Sequence, residues 1–417
     1  MQDLLFLSHR IPYPPDKGDK IRSWHMLRHL AKRYRVHLGC LIDDPADERH
    51  VPVLEALCGE SHFARLDPKL ARVKSLAALL DGRPLSLAYF HDAALARWVE
   101  ALVTRHRVEV ALIYSSALAA YVLGDRFSDM RRVVDMVDVD SDKWRQYAAR
   151  KSWPFSAIYR REARTLLAFE RRAATALDAS LFVSPREAAL FRRLAPESAE
   201  AIHSVNNGVD ADYFSPERAY DNPYPSDVVP IVFTGAMDYW PNVDAVSWFA
   251  AEVLPRLRER LGERLRFVVV GAAPTAEVVA LGRQPGILVT GRVPDVRPYL
   301  AHAAASVAPL RVARGVQNKV LEAMAMGLPV VASPQALEGI DAEPDRHLLV
   351  AEGAEDFAAA VVRAMAAGRP GALGPAARRL ILETYGWEAS LAGLDRLLEG
   401  AAAPGGETLP HDAAGVR

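Results

Sequence analysis

Apolar runs of four to six residues recur along the chain, each followed by a stretch in which apolar positions return every three or four residues. A run without polar alternation predicts a strand buried on both faces, and the longer period predicts an amphipathic helix laid over it. Alternation of the two implies parallel, doubly wound α/β sheets. Strands are expected at 4–8, 36–41, 110–114, 132–137, 180–183 and 202–205 in the first half. Helices are expected there at 21–33, 47–57, 69–80, 93–106, 117–123, 141–149, 155–176 and 186–193. In the second half strands are expected at 231–234, 266–270, 286–290, 305–309, 328–332 and 347–350. Helices there include 243–261, 275–281, 296–301, 319–326, 355–367 and a last one over 376–399, which Gly386 should bend.

Asn206-Asn-Gly-Val-Asp210, with Gly208 at positive φ in a turn, leads into Ser215–Pro230, whose four prolines break both periodicities. The expected organisation is a first domain over 1–210, a linker over 211–229, a second domain over 230–383, a C-terminal helix over 384–400 and a disordered tail over 401–417. A length of 417 residues suits two domains of about 200 each. A formal net charge of −1 gives no global case for a nucleic-acid partner. Cys40 and Cys58 lie in apolar surroundings and read as reduced core thiols. No apolar run approaches bilayer length and the N-terminus enters a strand without a signal pattern, so a cytoplasmic protein is expected, soluble or peripheral on the inner face of the membrane.

The chemistry concentrates in Arg311-Val-Ala-Arg-Gly-Val-Gln-Asn-Lys-Val-Leu-Glu322. A strand ends before it, a loop with Gly315 follows, and a helix opens near Asn318. Backbone N–H groups at a helix N-terminus, with Arg314 and Lys319 beside them, suit phosphate. Glu322 stands about one turn further in, where a carboxylate suits a ribose diol. The segment reads as a nucleoside-diphosphate cradle. In the first loop of the chain, three prolines and Gly18 precede a helix, and Lys17, Lys20 and Arg22 can neutralise phosphate. Such loops lie at the carboxyl ends of the strands, where ligands bind in open α/β sheets, so this one should face a cleft between the domains. Asp135, Asp138 and Asp140 end a buried strand, but their spacing does not define a metal site. They equally suit capping of the next helix by Asp140 or Ser141, just as Asn242 suits capping of its own.

Glu322-Ala-Met-Ala-Met-Gly-Leu-Pro-Val-Val-Ala332 resembles the Glu-x7-Glu region of the retaining family 4 glycosyltransferases, with Glu322 at the second glutamate. Arg314 occupies the position of the first glutamate, a departure at the place that in this family adjoins the donor sugar. Pro12-Tyr-Pro-Pro-Asp-Lys-Gly-Asp-Lys-Ile-Arg-Ser-Trp24 and Asp138-Val-Asp-Ser-Asp-Lys-Trp144 look like the sugar transferases of PEP-CTERM/exosortase exopolysaccharide systems. The resemblance implies a GT-B fold of two Rossmann-like domains, a C-terminal helix crossing back to the first, a nucleotide-sugar donor, retention at the anomeric carbon and no cofactor or metal. It implies a growing, lipid-linked glycan as acceptor. It places Gly18 near the diphosphate or the acceptor, Asp138 or Asp140 beside the acceptor hydroxyl, and Arg292 and Val293 at the nucleotide base. The run Gly235-Ala-Met-x-x-x-Pro-Asn242 is similar to the first loop of the second domain in a subset of these enzymes. The Arg and Lys that other members carry there are missing, which leaves Arg311, Arg314 and Lys319 to meet the diphosphate. A nucleotide-sugar epimerase of the same fold and a non-catalytic nucleotide-sugar binder are the alternatives.

Between Lys143 and Arg172 nine Lys/Arg stand against two Glu, interleaved with six aromatic residues. Basic and aromatic residues on helices suit an anionic membrane surface. A solvated helix face over ordinary core aromatics fits the same pattern.

Overall fold

Leu4, Leu5, Phe6 and Leu7 are wholly buried because their strand, β1 (Gln2–Ser8), has parallel neighbours on both edges and helices on both faces. The computed structural model describes residues 1–15, 18–149, 151–313, 316–367 and 371–400. These form two compact units, one of Met1–Val205 with the segment from Leu391, the other of Asn206–Ser390.

In the first unit β1 is joined by β2 (Tyr34–Ile42), β3 (Ser61–Arg65), β4 (Val110–Tyr114), β5 (Arg131–Val137), β6 (Ala179–Phe182) and β7 (Ile202–Ser204), all parallel, in the order β3-β2-β1-β4-β5-β6-β7. The helices that matter below are α1 (Gly18–Leu30), α2 (Ala93–His106), α3 (Asp140–Ala149), α4 (Phe155–Ala176) and α5 (Pro185–Leu194). The second unit holds β8 (Val229–Thr234), β9 (Leu265–Val270), β10 (Ile287–Gly291), β11 (Ala305–Ala308), β12 (Val330–Ala332) and β13 (Leu349–Val350) in the order β10-β9-β8-β11-β12-β13. With it go α6 (Trp240–Trp248), α7 (Arg297–His302), α8 (Asn318–Ala325) and α9 (Leu373–Leu380), and α10 (Trp387–Glu399) follows. Each sheet changes direction of winding at its centre, between β1 and β4 and between β8 and β11, the place where open sheets of this kind bind ligands. Two parallel sheets with alternating helices agree with the pattern of apolar runs.

Several expectations are corrected. β3 went unforeseen because Ser-His-Phe-Ala-Arg is an edge strand with mostly half-buried residues and no apolar run. The segment expected as a helix over 47–57 is a 3-10 turn, Pro45–His50, and one short helix, Val51–Glu55. The one at 117–123 is a 3-10 helix, Ser116–Tyr121. Gly386 breaks the last helix instead of bending it: α9 ends in a π turn, Ile381–Tyr385, Gly386 is extended, and α10 begins at Trp387. Gly208 does not take positive φ. A Cβ there would lie 2.6 Å from Trp387 Cα, so the need is close approach, not a left-handed turn. The expected disordered tail over 401–417 lies outside the described residues.

The cations of the first loop are also reassigned. Lys20 Nζ lies 2.7 Å from Asp47 Oδ2 and Arg22 Nε 2.7 Å from Asp135 Oδ2, with both cations buried. They anchor α1 to the turn after β2 and to β5, and so are not available to phosphate. Burial pushes the Asp135 carboxyl up, and Arg22 opposes that rise. Loss of one partner from a buried ion pair strands the other charge at a cost of about 3–5 kcal/mol. Arg22→Met should therefore lower the midpoint of thermal unfolding sharply, and Arg22→Met/Asp135→Asn, which removes the stranded charge, should recover much of the loss.

Candidate functional site

In the second unit the loops after β8 and β11 meet at the point where the winding reverses. β8 ends in Phe233-Thr-Gly235, and Gly235 N–H donates to Val270 O at 3.0 Å, which ties this loop to the end of β9. A Cβ on Gly235 would fall 2.7 Å from Asn242 Nδ2 and 3.4 Å from Lys319 Nζ. A Cβ on Gly271, at the end of β9, would lie 1.7 Å from Gly235 O. Gly271 is thus required by close backbone approach, and the space over Gly235 is held by two polar side chains.

Lys319 lies in the first turn of α8, a helix whose N-terminus no side chain caps. Its Nζ donates to Asn242 Oδ1 at 2.5 Å and sits 4.6 Å from the centroid of the Phe233 ring. Asn242 Nδ2 in turn donates to Ala236 O at 2.8 Å, so the amide clamps the β8 loop to the lysine. Among the described residues no carboxylate lies within ion-pair distance of Lys319. Burial pushes its ammonium down to about 8, with Glu322 opposing. Glu322 is half-buried one turn along α8 and makes no hydrogen bond among the described residues. Burial pushes its carboxyl up to about 7, again opposed by Lys319. Asn318, at the head of the same helix, buries its Oδ1 without a hydrogen-bond partner among the described residues. Among the described residues the ammonium is supported by an amide oxygen and an aromatic face, beside a carboxylate without a hydrogen bond. Groups left in this state have capacity for an anion and for hydroxyl donors.

The other predicted residues divide. Arg311 is exposed and already paired with Asp244 of α6, Nε to Oδ2 at 2.9 Å, so it brings no unopposed charge. Arg314 and Gly315 lie outside the described residues, as does Lys17. Gly291 is left-handed at φ 68 where the β9–β10 register shifts, and Arg292 after it is exposed while Val293 is half-buried. Nearby, Arg297 stacks 3.6 Å over the Tyr213 ring and is gripped by Asp295; burial raises the Tyr213 hydroxyl pKa, with Asp295 and, least, Glu322 adding to the rise. No sequence signal pointed to Tyr213 or to Phe233. A strand-final aromatic and a linker tyrosine acquire a place only when the chain is folded.

In the first unit Gly18 is exposed and opens α1, with no atom within 4 Å of a Cβ built on it. Asp138 and Asp140 both bind Lys143 Nζ, at 2.9 and 3.1 Å, which the two carboxylates raise against the opposing effect of burial. At the head of α3, Asp138 follows Val137 at φ 65. Two half-buried carboxylates sharing one ammonium, at the carboxyl end of β5, keep acceptor capacity but do not converge into a metal-ligand set. A different grouping, Asp3, His37 and His106, has ligand atoms within 4.8 Å of one another. There His37 Nδ1 accepts from Glu60 N–H, so its Nε2 carries the proton and donates to Asp3 at 2.8 Å, which leaves His37 no lone pair for a metal. Cys40 and Cys58 are free, and burial holds the Cys58 thiol up at about 12, far from thiolate chemistry.

No curated protein matches the sequence. Solved structures do match over nearly the whole chain. Sucrose-phosphate synthase from Thermosynechococcus elongatus is 18% identical, with 96% of this chain and 99% of that one covered and a TM-score of 0.63. Anabaena HepE in complex with UDP is 14% identical, with 96% and 100% covered and a TM-score of 0.64. WaaG, a glycosyltransferase involved in lipopolysaccharide biosynthesis, is 16% identical, with 95% and 100% covered and a TM-score of 0.62. Residues 229–367 match the family model described as Glycosyl transferases group 1. The chain thus has the GT-B fold, and its second unit carries a group 1 glycosyltransferase domain.

Proposed function

We propose that this protein moves a sugar from a nucleoside-diphosphate sugar to a glycan acceptor, with retention of configuration, and that the donor sits over Gly235. The observation that carries it is the Lys319–Asn242 clamp beside Glu322. Among the described residues, one desolvated ammonium has no carboxylate within ion-pair distance, and a carboxylate one helical turn away makes no hydrogen bond. A diphosphate supplies the missing anion and a ribose supplies the hydroxyls. Asn242 thereby acts on the diphosphate through Lys319, the single described cation that replaces the basic pair other members carry after the first strand. HepE binds UDP, and the same nucleotide is the first candidate here. The acceptor is a lipid-linked glycan of an exopolysaccharide pathway, presented at the membrane surface where the enzyme is peripheral. This part rests on the resemblance of the first loop and of Asp138–Trp144, and on the basic, aromatic character of α3 and α4. Asp138 and Asp140 are assigned to the acceptor hydroxyl. Thermal shift with UDP-, GDP- and TDP-sugars, followed by product analysis with and without a glycan acceptor, tests the whole; turnover of the donor without acceptor would indicate an epimerase instead.

Two outcomes follow from the geometry. Hydrogen bonds to a charged group contribute about 1.5–3 kcal/mol each. Glu322→Ala should weaken both nucleoside and nucleoside diphosphate at least about tenfold by calorimetry, with unfolding unchanged or improved, since a desolvated charge is removed. Unchanged affinity would remove the ribose assignment.

The second outcome concerns pH. Lys319 has a depressed pKa, so in the empty protein its charged form is lost as pH rises through about 8, and a bound diphosphate favours the charged form. Glu322 has a raised pKa, so the carboxylate needed by the ribose forms only as pH rises through about 7. Nucleoside-diphosphate affinity should therefore be greatest between these values and fall on both sides. The bare nucleoside should show the acid limb alone. Lys319→Met should abolish the alkaline limb, and an alkaline limb that persists in that variant would assign it to another group.

A further inference from the structure

Most of the cation excess between Lys143 and Arg172 is engaged within the protein. Lys143 pairs with Asp138 and Asp140, Arg145 with Asp142 and Arg171 with Glu197. Arg161 donates to the carbonyls of Ala78 and Arg83, and Arg172 lies over the Phe169 ring at 5.3 Å. Among the described residues, Lys151, Arg160 and Arg164 have no carboxylate partner, and Arg160 makes only a long 3.5 Å contact with Ser156 Oγ. Arg150 lies outside the described residues.

The two free arginines are four residues apart and so project from one face of α4. Both line a groove of about 290 Å³ between α3 and α4, to which α3 contributes Ser141 and the Asp142–Arg145 ion pair, and which Leu194 of α5 closes. Ala163 and Leu167, from the same face of α4, line it with them. It is therefore a mostly apolar groove whose rim carries two guanidinium groups with no carboxylate partner among the described residues. Beside them lies the Arg145–Asp142 pair, in which the carboxylate is already neutralised. At the turn between α3 and α4, Trp153 is 80% exposed and Phe155 is 57% exposed. Arg160 and Arg164 stand about 7 and 13 Å along the helix from Phe155.

We propose that this groove seats one anionic phospholipid of the bilayer. Its phosphate lies between Arg160 and Arg164, and the start of an acyl chain lies on Ala163, Leu167 and Leu194. Trp153 and Phe155 enter the boundary between headgroups and chains. Planar guanidinium groups match phosphate oxygens in pairs, and aromatic side chains favour that boundary. The proposal rests on the peripheral-membrane part of the function above and adds to it a defined seat, which diffuse attraction of a basic surface does not need.

Flotation of the full chain with phosphatidylcholine vesicles, with and without phosphatidylglycerol, tests it. Two cations near an anionic surface account for about 30-fold in partitioning, so Arg160→Gln/Arg164→Gln should lose roughly that factor. Ala163→Phe fills the groove without changing charge and should lose binding as well. Arg171→Gln/Arg172→Gln removes as many charges outside the groove and should lose little. Nucleoside-diphosphate binding and the thermal transition, followed in every variant, report that the fold persists. Equal losses from the two arginine pairs, with Ala163→Phe unaffected, would overturn the seat and leave a diffuse basic surface. Release by inorganic phosphate at constant ionic strength would assign the pair to a free anion and also overturn it. Failure of the unaltered protein to float on any vesicle would overturn the peripheral-membrane reading itself.

Discussion

A parallel strand packed on both faces has only its ends left for water. In both sheets this constraint drives polar chemistry into the loops at the carboxyl ends, because a buried strand has no spare positions for it. The reversal of winding between β8 and β11 then opens a gap between neighbouring loops. Gly235 and Gly271 bring the loops after β8 and β9 into backbone contact beside it, and Lys319 reaches Gly235 and Asn242 from the head of α8. The geometry of the candidate donor site is a consequence of sheet order before it is a consequence of any one side chain.

Within that gap the electrostatics are unsatisfied in a specific way. Lys319 and Glu322 lie one turn apart on the same helix, yet each is displaced towards its neutral form, because burial outweighs their attraction. The buried pairs of the first unit behave differently. Arg22 meets Asp135 directly and Lys20 meets Asp47, so those charges serve the fold. The contrast separates the structural cations from the one proposed to meet a ligand by their partners: a carboxylate in contact in one case, a neutral amide and a ring face in the other.

The α3–α4 hairpin shows the same distinction at the surface. Its basic composition suggested a broadly charged face. Folding pairs four of the described cations with carboxylates or carbonyls, stacks one on a ring, and leaves Lys151 and two arginines without a carboxylate, the two arginines together on one mostly apolar groove. Charge that is diffuse in sequence becomes local in structure, which is the condition for recognising one headgroup.

The parallel, doubly wound architecture was legible in the sequence, since buried strands and amphipathic helices differ in period and both periods are local. That Lys319 and Glu322 lie in the first turns of a helix entered from a strand-end loop was legible too, because a loop entering a helix is a local feature with a known polarity. The edge strand β3, the break at Gly386 and the close packing of Gly208 on Trp387 were not, for each depends on what the backbone meets across the fold. Nor could sequence alone separate Lys20 and Arg22 from Lys319. All three follow a strand, near a glycine, at the start of a helix, and each reads locally as a phosphate cation. Whether a carboxylate from a distant element lies within 3 Å is decided only by tertiary structure. Partners far apart in sequence set the desolvation and pairing on which a cation's role depends.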